Sequence, residues 1–296
     1  MRQKYKSINF RKHNLAMLMV VNQIVDEYQA MGLVLSARQL YYQLVAREVI
    51  PNNLKSYKHV TNLVNDGKLA GIVDWDMFED RTRTFRGNQH WNSPGELLRS
   101  CASQYEEDRW DTQENRVFAI VEKDALFGVL QGICGNWDIP LMAAKGYPSS
   151  SAVRTFVEDL VLPNAGQSIH ILHLGDHDPS GVDMTRDLIE RIELFCDNEA
   201  EVSVHRLALN YAQIEELKPP RNPVKQSDSR WEEYAAKFGQ SCWELDAIEP
   251  RALSGLVDSA VKQLVDLEEW EKRAKQIEAS RAKLLVVSEQ FDSNNE

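Results

Sequence analysis

From Val117 to Leu209 the chain alternates short apolar runs with amphipathic stretches. "VFAIVE" is a buried-strand run, "KDALFGVLQGIC" a helix, "IPLMAAKG" a strand and "SSSAVRTFVEDLV" a helix; "SIHILHLGD", "SGVDMTRDLIERIELFC" and "EVSVHRLAL" repeat the pattern. Strands separated by helices of this length pair in parallel, and the helices cover both faces of the sheet. The rhythm therefore predicts an α/β unit over residues 115–212 with a mostly parallel sheet. Ligands of such sheets gather at the carboxyl ends of the strands.

Acidic residues occupy those ends. Glu122 follows the first strand, and Asp176 and Asp178 follow the third in "LGDHDPSG". An Asp-x-Asp just past a strand can turn both carboxylates into the crevice, where Glu122 would join them. Hard oxygen donors of this kind suit Mg²⁺, with Mn²⁺ an alternative. Asp178 before Pro179 also fits a helix N-cap, which accounts for one acid but not for three. His173 and His177 flank the acids and read as hydrogen-bonding or packing residues rather than ligands.

The segment before this unit has another character. Apolar residues recur at helical spacing in Leu15, Leu18, Val21, Ile24, Val25 and Tyr28. Ser36 is placed to cap a second helix running to about Arg47, and "LKSYKHVTNLVNDGKLAG" reads as a third, closed by Gly71. "IVDWDMFEDRTRTFRGN" then has short β character and an arginine-rich turn. Three helices and a β-wing make the winged helix-turn-helix pattern, expected over residues 1–90, with a connector over 91–114. The whole chain carries a net charge of −11, but residues 1–60 hold nine Lys/Arg against three acids. A basic first segment on an acidic chain fits either a domain that meets phosphate or a solvated basic tail. On the first reading Lys55, Lys58 and His59 of the third helix face a DNA groove. Arg81 and Arg83 of the following turn, with Lys145 of "KGYP", complete the DNA-contact set.

The second helix, "SARQLYYQLV", contains two adjacent tyrosines. At 100° per residue Leu40, Tyr41, Leu44 and Val45 share a face, and Tyr42 lies roughly 130° from its centre. Tyr41 is thus assigned to the core. Tyr42 is either a presented phenol beside Arg38, one turn earlier, or a half-buried surface tyrosine.

"VFAIVEKDALF", "KGYPSSSAVRTF" and "LHLGDHDPSG", in that order, resemble the Toprim domain of topoisomerase VI A subunits and the related meiotic break-forming transesterases. "RQLYY" is similar to the Arg-x-x-Tyr-Tyr motif that the family sets in its winged-helix domain. The resemblance covers roughly residues 30–210 and points to a minimal, free-standing A-type protein. It implies Tyr42 as the nucleophile, Arg38 as its neighbour, and Mg²⁺ on Glu122, Asp176 and Asp178. It further implies a 5′-phosphotyrosyl link to double-stranded DNA, cut on both strands by a homodimer whose sites combine the tyrosine of one subunit with the metal of the other. No nucleotide site is evident, so ATP-driven strand passage would need a separate ATPase subunit.

Two other readings of the same residues are a Toprim nuclease that cuts with water and a catalytically idle DNA-binding protein. Residues 213–296 are expected to form a proline- and charge-rich loop and a long helical extension. The longest apolar runs fall short of the roughly 18 residues that would suggest a membrane span. Four scattered cysteines with no CxxC pair argue against zinc and fit a reducing cytoplasm, where a nucleoid-associated enzyme would work.

Overall fold

The protein is described by a computed structural model covering residues 2–78, 88, 90–224 and 227–293. Its first unit is three helices: α1 (Lys12–Ala30), α2 (Ala37–Ala46) and α3 (Leu54–Leu69). The Ser36 side chain caps α2 and forms a reciprocal capping box with Gln39. Asn53 caps α3 by accepting from the Ser56 amide at 2.8 Å. Gly71 closes this segment at φ +73°, a backbone state that glycine adopts without strain. Leu18, Val21, Ile24, Val25 and Tyr28 fill the core between the helices as the spacing predicts. Leu15 does not, and is 42% exposed. The expected wing falls largely on residues 79–87 and 89, outside the described residues, as do Arg81 and Arg83. Around α3 the described residues form only single bridges, Lys4 with Ala70 and Leu35 with Phe78.

α4 (Pro94–Gln104) occupies the connector. The sheet follows: β1 (Asn115–Val121), α5 (Phe127–Asn136), β2 (Leu141–Ala143), α6 (Ser150–Phe156), β3 (Ser168–Leu174), α7 (Pro179–Cys196) and β4 (Val202–Ala208). All three strand pairings are parallel, in the order β2-β1-β3-β4. Val117, Ala119 and Val121 of β1 pack with α5 residues such as Leu130, while Phe118 and Ile120 pack with α6 and α7 residues such as Val153 and Leu188. The connection after β1 therefore crosses one face and that after β3 the other. The crevice between the carboxyl ends of these two neighbours is the switch point of the sheet.

The last third of the chain is part of this core. α8 (Tyr211–Leu217) leads to a two-residue hairpin pairing of β5 (Asn222–Pro223) with β6 (Ser241–Cys242), with α9 (Trp231–Phe238) between them. The expected helical extension ends in two helices, α10 (Pro250–Lys262) and α11 (Leu267–Ser293). Leu253, Val257 and Val261 of α10 are buried on the α5 face of the sheet, so the boundary expected at residue 212 runs through one continuous core. α11 returns to the connector, where the Arg281 guanidinium donates to the Tyr105 carbonyl at 2.8 Å and Arg273 pairs with Glu107 at 2.9 Å.

Candidate active site

The register of β1 on β3 sets Val121 opposite Leu174. The residues that follow, Glu122 on one strand and Gly175–Asp176 on the other, leave the sheet side by side. The Asp176 amide donates to Glu122 Oε2 at 2.8 Å. Asp178 caps α7 by accepting from the Gly181 amide at 2.7 Å. A side chain at position 181 would meet the Asp176 carbonyl oxygen at 2.2 Å, so the tight turn of "DHDPSG" requires that glycine. Arg206 of β4 braces the turn from below, donating to the carbonyls of Asp176 at 2.6 Å and Gly181 at 2.7 Å.

Two further acids come from the last third of the chain. His177 and Trp243 exchange backbone hydrogen bonds of 2.9 and 3.0 Å, and the Leu245 amide donates to Asp176 Oδ1 at 2.7 Å. These bonds lay "WELD" against the end of β3. Asp176, Glu244 and Asp246 thereby each bring a carboxylate oxygen within 4.8 Å of the others. Among the described residues this is the one cluster of three side chains spaced to hold a metal ion. The trio expected from the sequence is only partly gathered: Asp176 is central, Glu122 turns back onto the Asp176 amide, and Asp178 is committed to its cap. All donors of the observed cluster are hard carboxylate oxygens with no imidazole or thiol among them, which fits Mg²⁺ or Mn²⁺.

Cations of the protein already bind the cluster. Lys123 Nζ lies 2.8 Å from Asp176 Oδ2 and 3.0 Å from Asp246 Oδ1, and also contacts Glu244 Oε2. Arg38 of α2 reaches Glu244 Oε2 at 2.6 Å and Asp246 Oδ2 at 2.9 Å. The Arg38 guanidinium also lies 5.8 Å from the centre of the Tyr42 ring. The predicted neighbours Arg38 and Tyr42 thus adjoin two acids of the cluster, Glu244 and Asp246, within one chain.

Tyr42 is not presented to solvent. It is 6% exposed and Tyr41 4%, and their rings meet edge to face at 5.2 Å. The Tyr41 hydroxyl donates to Asn52 Oδ1 at 2.8 Å. Both tyrosines line a cleft of about 710 Å³ between the helical unit and the sheet unit, with Arg38, Tyr57, Asp178, Ser180 and Glu244 among its walls. Burial raises the Tyr42 phenol pKa, and the charges of Glu244 and Asp246 raise it further, overcoming the opposite pull of Arg38 and Lys123. The phenol is therefore protonated at neutral pH, although Arg38 beside it favours the phenolate.

The acids divide by environment. Burial pushes Asp176 and Glu122 upward, each reinforced by neighbouring carboxylates. Glu244 also pays a burial penalty, but Lys123 and Arg38 outweigh it and its pKa falls. His173 donates or accepts at Thr185 Oγ1 over 2.9 Å, and His177 meets the Tyr234 hydroxyl at 2.7 Å. Burial followed by the charge of Arg206 lowers His173 to about 3 and His177 to about 4, so both are neutral packing residues, as expected.

No family model and no curated protein matches the chain.

Of the residues expected to touch DNA, Lys55, Lys58 and His59 are exposed on α3, whose first turn borders the cleft. Lys145 is exposed on the "KGYP" turn, 3.5 Å from Asp124 and away from the cleft lining. Tyr147 of the same turn donates to Asp183 Oδ2 at 2.6 Å, tying the motif to α7. Lys123, Glu244 and Asp246 were missed by sequence reasoning. Lys123 directly follows Glu122 in "VFAIVEKDALF", and "WELD" carries two acids at alternate positions after a two-residue strand.

Proposed function

We propose that the protein is a DNA-cleaving transesterase with Tyr42 as its nucleophile. The observation that carries this is the shared cleft: Tyr42, Arg38, Asp178 and Glu244 border one space, and Glu244 belongs to the carboxylate cluster around Asp176. The resemblance of "RQLYY" and "LGDHDPSG" to the type IIB topoisomerase A subunits points the same way.

In this reading Lys55, Lys58 and His59 hold the phosphate backbone of duplex DNA, and one phosphate enters the cleft. Arg38 is the fork that receives its oxygens. The Tyr42 oxygen attacks phosphorus as its proton passes to a carboxylate of the cluster. The new O–P bond forms as the bond to the 3′ oxygen breaks, and that oxygen leaves as a hydroxyl after taking up a proton. A Mg²⁺ or Mn²⁺ ion bound by Asp176, Glu244 and Asp246 would stabilise charge on the phosphate and leaving oxygens. Two chains, one for each strand, would make a double-strand break, and any ATP-driven strand passage would belong to another subunit.

The burial of Tyr42 favours a second reading, a metal-dependent nuclease in which water replaces the phenol. One experiment separates them. Plasmid is incubated with the protein and Mg²⁺ or Mn²⁺ and quenched with detergent. A transesterase leaves protein on the 5′ ends, and a nuclease leaves free ends. Cleavage with free ends removes the tyrosine mechanism.

A further inference from the structure

Lys123 has a place in the acidic centre that its neighbours in the motif do not explain. Its ammonium contacts one oxygen from each of the three clustered acids: Asp176 Oδ2, Asp246 Oδ1 and Glu244 Oε2. Three carboxylates this close repel one another unless a cation lies between them. A Mg²⁺-sized ion needs its oxygens at about 2.0–2.1 Å, and an ammonium at 2.8–3.0 Å from the same oxygens fills that space. Both cannot be bound at once. Lys123 follows the end of β1 and carries its charge on a flexible four-carbon stem. Glu244 Oε2 is shared between Lys123 and Arg38, which links the centre to the helix that carries Tyr42.

We propose that Lys123 is the resident cation of this centre. A divalent ion binds by exchanging with its ammonium. Without such an ion the lysine keeps the three acids assembled. This rests on the metal reading of the centre above and adds the route by which the ion arrives.

The test is calorimetric titration of the full chain with MnCl₂ alone, paired with melting curves with and without the ion. Lys123→Met is expected to bind Mn²⁺ tighter than wild type by on the order of ten- to a thousandfold, the range over which a close unit charge shifts a carboxylate's affinity for a proton. Its metal-free form should melt lower, and Mn²⁺ should restore it. Lys123→Arg, which keeps the charge, should bind like wild type, an outcome that a merely structural lysine does not predict. If Lys123→Met does not fold, Lys123→Gln, which keeps a donor without the charge, answers the same question. Binding by wild type that is lost in Asp176→Asn but is no tighter in either neutral variant overturns the exchange and leaves the metal reading standing. Absence of Mn²⁺ binding in wild type and neutral variants alike overturns both.

Discussion

Tyr42 is buried and also lines the cleft, and its ring and its hydroxyl should fail in different assays. Tyr42→Phe keeps the ring, so melting and DNA binding should persist while covalent attachment to cut DNA disappears in the detergent-quench assay. Tyr42→Ala empties a core site and should cost about 3–5 kcal/mol in denaturant unfolding. Tyr41→Phe loses only the hydroxyl bonds to Asn52 and Asn53 and should cost about 0.5–1.5 kcal/mol with cleavage retained. His173 sets a pH response. Its pKa in the folded chain lies below the unfolded value, so its contribution is complete above pH 6.5 and is lost as pH falls toward about 3. Between pH 6.5 and 5 this amounts to about 2 kcal/mol. The melting temperature should fall over that interval, and less steeply in His173→Asn.

Elements show what was legible beforehand and what was not. The β/α alternation, the Ser36 cap and the Gly71 stop follow from local rules, and the structure keeps them. The helical phase of α2 was a weaker guide, because it assumed one buried face. α2 is packed by α1 and α3 on one side and by residues 245–247 on the other, so Gln39, Tyr42 and Gln43 are buried with Leu40, Tyr41 and Leu44. Only a contact spanning some two hundred residues, Arg38 with Glu244, reveals this second side. Asp178 is a cap as well as a wall of the cleft. Asp178→Asn keeps the capping ability and should leave stability unchanged, whereas Asp178→Ala should cost about 0.5–2 kcal/mol by thermal melting. On α3, changing Lys55 and Lys58 together to Ala should make the slope of log K against log salt shallower by about two in a DNA-binding titration. An unchanged slope would mean that this face is merely solvated.

At the scale of the molecule, residues 115–212 are not a self-sufficient unit. Trp243, Leu245, Ile248 and the buried face of α10 complete one side of the sheet. A chain ending at residue 212 should therefore show no cooperative melting transition in calorimetry, despite containing every strand of the parallel sheet. The acids after β1 and β3 are legible in the sequence because strand ends can be found from periodicity. Glu244 and Asp246 are not, because their approach depends on Trp243 pairing with His177 and on the Leu245 amide donating to Asp176.

That bond between Leu245 and Asp176 joins positions 69 residues apart. On the ribosome, Arg38, Tyr42 and Asp176 emerge well before the segment that gathers the carboxylates. A nascent chain therefore carries Tyr42 and Arg38 through most of its synthesis without the assembled carboxylates. Products of stalled translation that stop short of Asp246 would share this property, holding the tyrosine with no gathered acids beside it.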